Sequence, residues 1–415
     1  MQTLNVSDSN FEQCLKCSIC TVYCPVAAVD PLYPGPKQAG PDGERYRLKA
    51  GDLFFDKALK LCLNCKRCEV ACPQDVRIGD LIQQARIRHE HSGVKLRDRM
   101  LANTDFMGTV ANRFAPLVNA SLGLGITKAA LHSVMGIDKH RTFPAYSAQR
   151  FVTWYKRHAA HGQLQFAKQV SYFHGCYANY NYPQLGKDLV TVMNAVGYGV
   201  QLLEKEKCCG VALIANGMSR QARRQGQVNI DSIRKATATT EAVLTTSSTC
   251  TFTMRDEYDH LLHIDNGDVR DHITLATRFL YRLIEDEKIQ LAFRPDFHKR
   301  VAYHSACHME RMGWTIYSME LLRMIPGLEL VQLESQCCGI SGTYGFKKEN
   351  YQRSQAIGQG LFDQIKEVAP QCVATDCETC KWQIEMSTGV PVENPISLLA
   401  QALDVDRTRA LNGLR

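Results

Sequence analysis

The chain has 415 residues, 45% of them apolar and 22% charged, with a formal net charge of +7. At roughly 100–200 residues per domain this length implies two to four domains with cores of their own, and length and composition exclude a disordered chain, a coiled coil or a small disulfide-stapled fold. The modest basic surplus suits an acidic partner or an anionic surface and does not imply nucleic-acid binding.

Eighteen cysteines stand out against that ordinary background. The opening stretch MQTLNVSDSNFEQ has neither the basic nor the apolar region of a secretory signal. A reducing compartment is therefore expected, where thiols bind metals more often than they form structural disulfides. No run of about 18 apolar residues, the length that crosses a bilayer, occurs.

In chain order, CLKCSICTVYCP from Cys14 comes first and CLNCKRCEVACP from Cys62 repeats it, displaced by 48 residues at every cysteine. Both follow C-x2-C-x2-C-x3-C-P, the spacing of two-cluster bacterial ferredoxins. Three thiolates on one tight loop cap three corners of a four-iron cubane, and the fourth cysteine reaches the other cubane. The expected ligand sets are Cys14, Cys17, Cys20 and Cys72 for one 4Fe-4S cluster, and Cys62, Cys65, Cys68 and Cys24 for the other. Pro25 and Pro73 suit the first turn of a following helix, where no N–H is needed. Zinc usually draws two cysteines from each of two knuckles and fits these runs of four poorly. Between the motifs YPGPKQAGPDGERYRL, residues 33–48, is polar and turn-rich and reads as a surface insertion suited to docking. Two clusters in one small domain conduct electrons.

Residues 86–169 contain no cysteine. They begin basic, with Arg86, Arg88, Lys95, Arg97 and Arg99, and then run from Phe114 to Thr127 for fourteen residues without a charge. The expectation is a connecting helical layer packed on its own protein. The alternative is a membrane-surface or partner-docking face with a basic flank for anionic lipid.

Residues 170–250 and 301–380 are two copies of one pattern, their matching cysteines 129–131 residues apart. Val170–Phe173 reads as a strand ending at His174, Gly175 and Cys176. Leu185, Leu189, Val192 and Val196 then recur at helical spacing before Gly197. Strand, helix, strand, loop, helix, strand predicts a parallel sheet, with ligands beyond the carboxyl ends of its strands, where the cysteines fall. Each copy carries Cys-Cys-Gly, at Cys208-Cys209-Gly210 and Cys337-Cys338-Gly339. Adjacent cysteines can both ligate one cluster when the glycine allows an unusual turn. The second copy supplies Cys307, Cys337, Cys338, Cys377 and Cys380, five thiolates and more than a cubane or zinc can use. The first supplies Cys176, Cys208, Cys209 and Cys250, with Ser247 where the second has Cys377. An iron–sulfur centre, a zinc ion and a vestigial structural copy all stay open there. Cys372 lies outside every motif and reads as a buried inert thiol. His174, His304 and His308 flank cluster cysteines and are expected as hydrogen-bonding or core residues, not ligands.

The fold class expected is α+β and α/β, with a helical two-cluster ferredoxin-like domain over residues 1–90 and a helical connecting region over 91–169. Two repeated α/β CCG cysteine-rich modules follow, over 170–290 and 291–415.

The two ferredoxin motifs and two CCG modules together resemble the iron–sulfur subunits related to heterodisulfide reductase, which include the glycolate oxidase iron–sulfur subunit. The strings YPGPKQAGPDGER, SSTCTF, CHMERMGW, SQCCGISGTYGFKKENY and TDCETCKWQIEMS make the chain similar to the C subunits of anaerobic glycerol-3-phosphate dehydrogenases over essentially its whole length. The resemblance implies an electron-transfer subunit that does not itself oxidise glycerol 3-phosphate. Flavin-bearing A and B subunits would form the catalytic dimer. The C subunit would pass their electrons through the cubane pair and the CCG region to a menaquinone-type acceptor, and anchor the dimer peripherally at the cytoplasmic face of the inner membrane. It further implies a non-cubane four-iron cluster on Cys307, Cys337, Cys338, Cys377 and Cys380, while Ser247 departs from that pattern in the first module. The chain has no G-x-G-x-x-G loop of its own, in keeping with a borrowed flavin. Two alternatives are a heterodisulfide-type reductase acting on a thiol substrate at the second CCG cluster, and a structural membrane anchor.

Overall fold

The computed structural model describes residues 10–50, 56–89 and 94–414. The 48-residue repeat extends to the backbone: Lys16 and Ser18 have φ of 59° and 65°, and Asn64 and Lys66 have 56° and 64°. These left-handed residues curl each loop around its cysteines, and the one-turn helices Ile19–Val22 and Arg67–Val70 follow. Such conformations cost non-glycine residues about 1–2 kcal/mol each. Strain repeated at matched positions is the mark of a binding loop.

Two sequence expectations fail in this region. Pro25 and Pro73 lie in turns and do not open helices, and after Pro73 the chain takes a left-handed φ of 46° at Asp75 before the helix Ile78–His89. A left-handed residue there stops helical propagation. Residues 33–48 are not a surface insertion either. A π-helical turn, Gln38–Asp42, runs into the helix Gly43–Ala50, and Tyr33, Ala39, Glu44 and Arg47 are buried. A Cβ on Gly40 would lie 2.9 Å from Ile78, so the glycine is what lets the π-helical turn settle on Ile78–His89. Glu44 accepts from Arg47 at 2.8 Å and pairs with Arg88, so the charges of a polar-looking string are buried in pairs.

Each CCG module is a four-stranded, all-parallel sheet. In the first, β1 (Lys168–Phe173), β2 (Tyr198–Leu202), β3 (Val243–Thr245) and β4 (Ile273–Leu275) lie in the order β2-β1-β3-β4. In the second, β5 (Lys299–Tyr303), β6 (Leu328–Gln332), β7 (Cys372–Ala374) and β8 (Val392–Glu393) lie in the order β6-β5-β7-β8. The repeat read from the sequence has three strands per copy. The fourth, of three residues in β4 and two in β8, is too short to leave a periodic signal. The helix Pro183–Ala195 buries Leu185, Leu189 and Val192 and ends before Gly197, whose φ is 87°. The two sheets share one core, with Tyr172, Leu189 and Tyr198 of the first module continuous with Tyr303, Leu322 and Leu399 of the second. Strand order reverses between β1 and β3 and between β5 and β7, the crevice where such sheets bind ligands.

The connecting region is packed only at its ends. The helix Leu96–Ala102 buries Ala102 in the first module's core, and Thr104–Arg113 buries Gly108 and Ala111. From Pro116 to Gly136 no residue is buried. The helical pieces Ala115–Gly123, Gly125–Ala130 and Leu131–Met135 form an outer surface, tethered by reciprocal bonds of 2.9 Å between Asn119 and the Tyr146 backbone. The expected layer packed on its own protein is therefore not what residues 116–136 form, because among the described residues no other element covers them. Among the described residues no helix is long and apolar enough to cross a membrane.

Candidate iron–sulfur sites

The left-handed loops bring the ferredoxin-type cysteines into two groups. Cys20 lies among Cys14, Cys17 and Cys72, and Cys24 lies among Cys62, Cys65 and Cys68, so each fourth cysteine faces the other loop. Backbone N–H groups point at the sulfurs, Asn64 N donating to Cys62 Sγ and Val76 N to Cys72 Sγ, each at 3.4 Å. Burial, with Cys65 and Cys62 alongside, pushes the Cys24 thiol up to about 12. Thiols crowded together and buried cannot all ionise unaided, and a cationic metal core is the partner that removes the conflict. Cys17 is exposed, whereas Cys68 is buried. The first group thus sits at the surface and the second faces inward.

Both modules clamp the inner loop. Lys66 is buried against Asp80, with Glu69 at 3.7 Å and Glu257 of the first module at 3.9 Å. Asn64 Nδ2 donates to Glu257 at 2.6 Å, and Arg311 of the second module donates to Glu69 at 3.0 Å. His308 stacks on Phe252 at 4.7 Å, and burial next to the Lys66 charge pulls it down to about 4, so it is a neutral packing ring. The Cys65 thiol is in contact with Cys307, which in turn touches Cys337.

In the second module Cys307 follows β5, Cys337 and Cys338 follow β6, and Cys377 and Cys380 follow β7. All five meet at the carboxyl ends of the strands. Cys338 Sγ lies 3.3 Å from Cys380 Sγ, and a hydrogen bond with Cys380 holds the Cys377 thiol down to about 6 against the effect of burial. Gly339 makes the left-handed turn, φ 83°, and donates its N–H to Cys337 Sγ at 3.4 Å. A ring nitrogen of His304 lies with the Cys338 and Cys380 sulfurs in a group spanning no more than 4.8 Å, and its Nε2 is buried without a partner. This histidine directly follows β5, and its place beside the thiols depends on the pairing of β5 with β6 and β7. A row of buried thiols with an orphaned imidazole nitrogen fits a metal cluster.

The first module repeats the arrangement with four thiols. Cys208 touches Cys176 and Cys209, Cys209 touches Cys250, and Gly210 turns with φ 87°. Ser247 caps the helix Ser248–Phe252, accepting from Cys250 N at 3.3 Å and donating to Glu378 at 2.8 Å. Cys377 occupies the same cap position on Glu378–Thr388, so Ser247 stands in the place of the fifth cysteine. Acidic groups surround this site. Asp105, from the connecting region, accepts from Cys208 N at 2.8 Å, and burial together with the Cys208 charge pushes it up to about 6. Glu206 accepts from Gly175 N at 2.7 Å and pairs with His174 Nδ1 at 2.9 Å. No local signal marks Asp105, because it reaches Cys208 from an element 103 residues away. Cys372 is buried in β7, where burial raises its thiol to about 11.

Residues 10–76 match the 4Fe-4S dicluster domain family, and residues 170–255 and 301–385 each match the Cysteine-rich domain family. The chain is 58% identical, over 96% of its length and 100% of the relative's, to the C subunit of the anaerobic glycerol-3-phosphate dehydrogenase of Escherichia coli (strain K12). It is 23% identical to the B subunit of the fumarate reductase (CoM/CoB) of Methanothermobacter marburgensis, over 95% of this chain and 72% of that one. The D subunit of the dihydromethanophenazine:CoB–CoM heterodisulfide reductase of Methanosarcina barkeri is 28% identical over 58% of this chain and 60% of its own. Identity of 58% over 96% of this chain and the whole of that relative, together with the two matched domain families, leaves one assignment: the chain belongs to the family of anaerobic glycerol-3-phosphate dehydrogenase C subunits, which are iron–sulfur electron-transfer proteins.

Proposed function

We propose that this chain carries electrons from the flavin-bearing A and B subunits of an anaerobic glycerol-3-phosphate dehydrogenase to a menaquinone-type acceptor, and holds that dimer peripherally at the cytoplasmic face of the inner membrane. Cys14, Cys17, Cys20 and Cys72 would hold one 4Fe-4S cluster, and Cys62, Cys65, Cys68 and Cys24 the other. Cys307, Cys337, Cys338, Cys377 and Cys380 would hold a non-cubane four-iron cluster, and Cys176, Cys208, Cys209 and Cys250 a further iron–sulfur or zinc centre. Iron–sulfur groups so held supply one-electron carriers.

The observation that carries this reading is the juxtaposition of Cys65 and Cys307, which interact and line one cavity together with Cys337, Cys338, Cys377 and Cys380, joining the inner ferredoxin loop to the second CCG site. Exposed Cys17 gives the outer set a surface for the flavoprotein, and the inner set faces the modules. The uncovered helices suit the membrane side. Leu117, Ile126 and Val134 are 71%, 80% and 82% exposed, and residues 106–137 include Arg113 and Lys128 but no Asp or Glu. An apolar surface bordered by positive charge fits the interface of a bilayer with anionic lipid.

The test is Cys65→Ser in the assembled complex. Glycerol 3-phosphate should still reduce the flavin, while reduction of a menaquinone analogue is lost. Quinone reduction at the wild-type rate would remove the inner loop from the route.

A further inference from the structure

Arg141 lies in the extended segment that follows the uncovered helices. It is only 1% exposed and makes no ion pair among the described residues. Its partners are neutral. Nε donates to Gly345 O at 2.6 Å, Nη2 to Ser354 Oγ at 2.8 Å and Nη1 to Gln383 Oε1, and the guanidinium lies over the rings of Phe346 at 5.5 Å and Tyr351 at 5.0 Å. Burying a cation without a counter-charge is costly, several kcal/mol after relaxation. Burial accordingly pulls this guanidinium down to about 10, although the negative forms of Tyr351, Cys338 and Asp138 oppose the shift.

The partners locate the missing counter-charge. Gly345 lies in the loop that leaves Cys338 and Gly339, and a Cβ on Gly339 would sit 2.1 Å from Ser354 O. Gln383 is on the helix Glu378–Thr388, less than one turn beyond Cys380. Phe346, under the guanidinium, shares a core with Cys338, Cys377 and Cys380. Arg141 therefore grips the elements that hold Cys337, Cys338, Cys377 and Cys380 of the second module without touching a thiol itself. The first module shows the opposite environment, with Asp105 on the Cys208 N–H and Glu206 on the Gly175 N–H.

We propose that Arg141 is a positioning residue whose unpaired charge balances the anionic five-cysteine centre of the second CCG module and raises its reduction potential. The proposal rests on the reading that this module holds an iron–sulfur centre.

The experiment is a redox titration followed by electron paramagnetic resonance on the intact complex, prepared anaerobically with wild-type chain, Arg141→Gln or Arg141→Lys. In Arg141→Gln the ratio of reduced to oxidised second-module centre at the wild-type midpoint should fall about tenfold, which is 59 mV for a one-electron couple. The ferredoxin signals should stay in place. Arg141→Lys keeps the charge but not the forked hydrogen bonds, and should keep the midpoint while lowering thermal stability. If Arg141→Gln fails to load the second module, iron retained in Arg141→Lys supports the charge role, and equal loss in both variants overturns it. Unmoved midpoints in both variants overturn it too, leaving Arg141 a packing residue. Wild-type protein with only about eight irons, four per ferredoxin cluster, would overturn the reading of the second module and the proposal with it.

Discussion

Gly210 and Gly339 make equivalent turns, yet the same added methyl group should affect them unequally. Both have left-handed φ, 87° and 83°, so alanine at either costs about 1–2 kcal/mol of backbone strain. At Gly210 the nearest atoms to a new Cβ are those of Ala222 at 3.6 Å, ordinary contact, whereas at Gly339 the Cβ would lie 2.1 Å from the backbone oxygen of Ser354. Ser354 sits in the long helix Tyr351–Val368, and a helix backbone cannot rotate away as a side chain would. Gly339→Ala therefore adds overpacking of about 1–3 kcal/mol, for a total of about 2–5 kcal/mol against about 1–2 for Gly210→Ala. Ser354 Oγ also accepts from Arg141, so its displacement disturbs the second thiol group. The assay is thermal unfolding of the two anaerobically purified variants beside wild type, with iron measured per chain. Gly339→Ala should show the larger fall in melting temperature and lose iron. Equal falls, or a larger one for Gly210→Ala, would refute the collision argument.

Lys66→Met should destabilise the chain by about 3–5 kcal/mol, because it leaves buried carboxylates without their common cation. Burial alone would raise the Asp80 carboxyl, but Lys66 outweighs it and holds Asp80 below the usual range. In wild type that contribution is present above about pH 3.9 and is lost as pH falls through the lower folded value. Without Lys66, burial is opposed only in part, by Arg311 on Glu69 and by Arg77 at 3.9 Å from Asp80, and stability falls as pH rises, so the deficit in urea midpoint should widen between about pH 5 and 8. A constant deficit would contradict this account. On the uncovered helices, Leu117→Glu with Ile126→Glu removes two apolar groups worth about 1.5–3 kcal/mol each if they enter lipid. Co-sedimentation with phosphatidylglycerol vesicles should drop at least tenfold, and unchanged binding would place the membrane contact elsewhere.

The ferredoxin loops and the CCG turns were legible because their chemistry is local. Ligand spacing, left-handed residues and a glycine after paired cysteines all act within a dozen residues, and the repeat shows each device twice. Residues 33–48 were misleading for the same reason: glycines, prolines and charges look like a loop until Ile78 receives Gly40 and Arg88 pairs with Glu44. The chargeless run from Phe114 was visible as a sequence, but whether another element covers it is a property of the assembled fold.

The sequence by itself determined the thiol inventory, its division into two repeats and the parallel modules that carry ten of the eighteen, since bond geometry and periodicity act between near neighbours. Only the tertiary structure decided which charges and thiols face one another: Cys65 against Cys307, Asp105 on Cys208, His304 beside Cys338 and Arg141 behind the second site. Those pairs are separated by tens to hundreds of residues, and electrostatics and burial depend on distance through space, which no local pattern encodes.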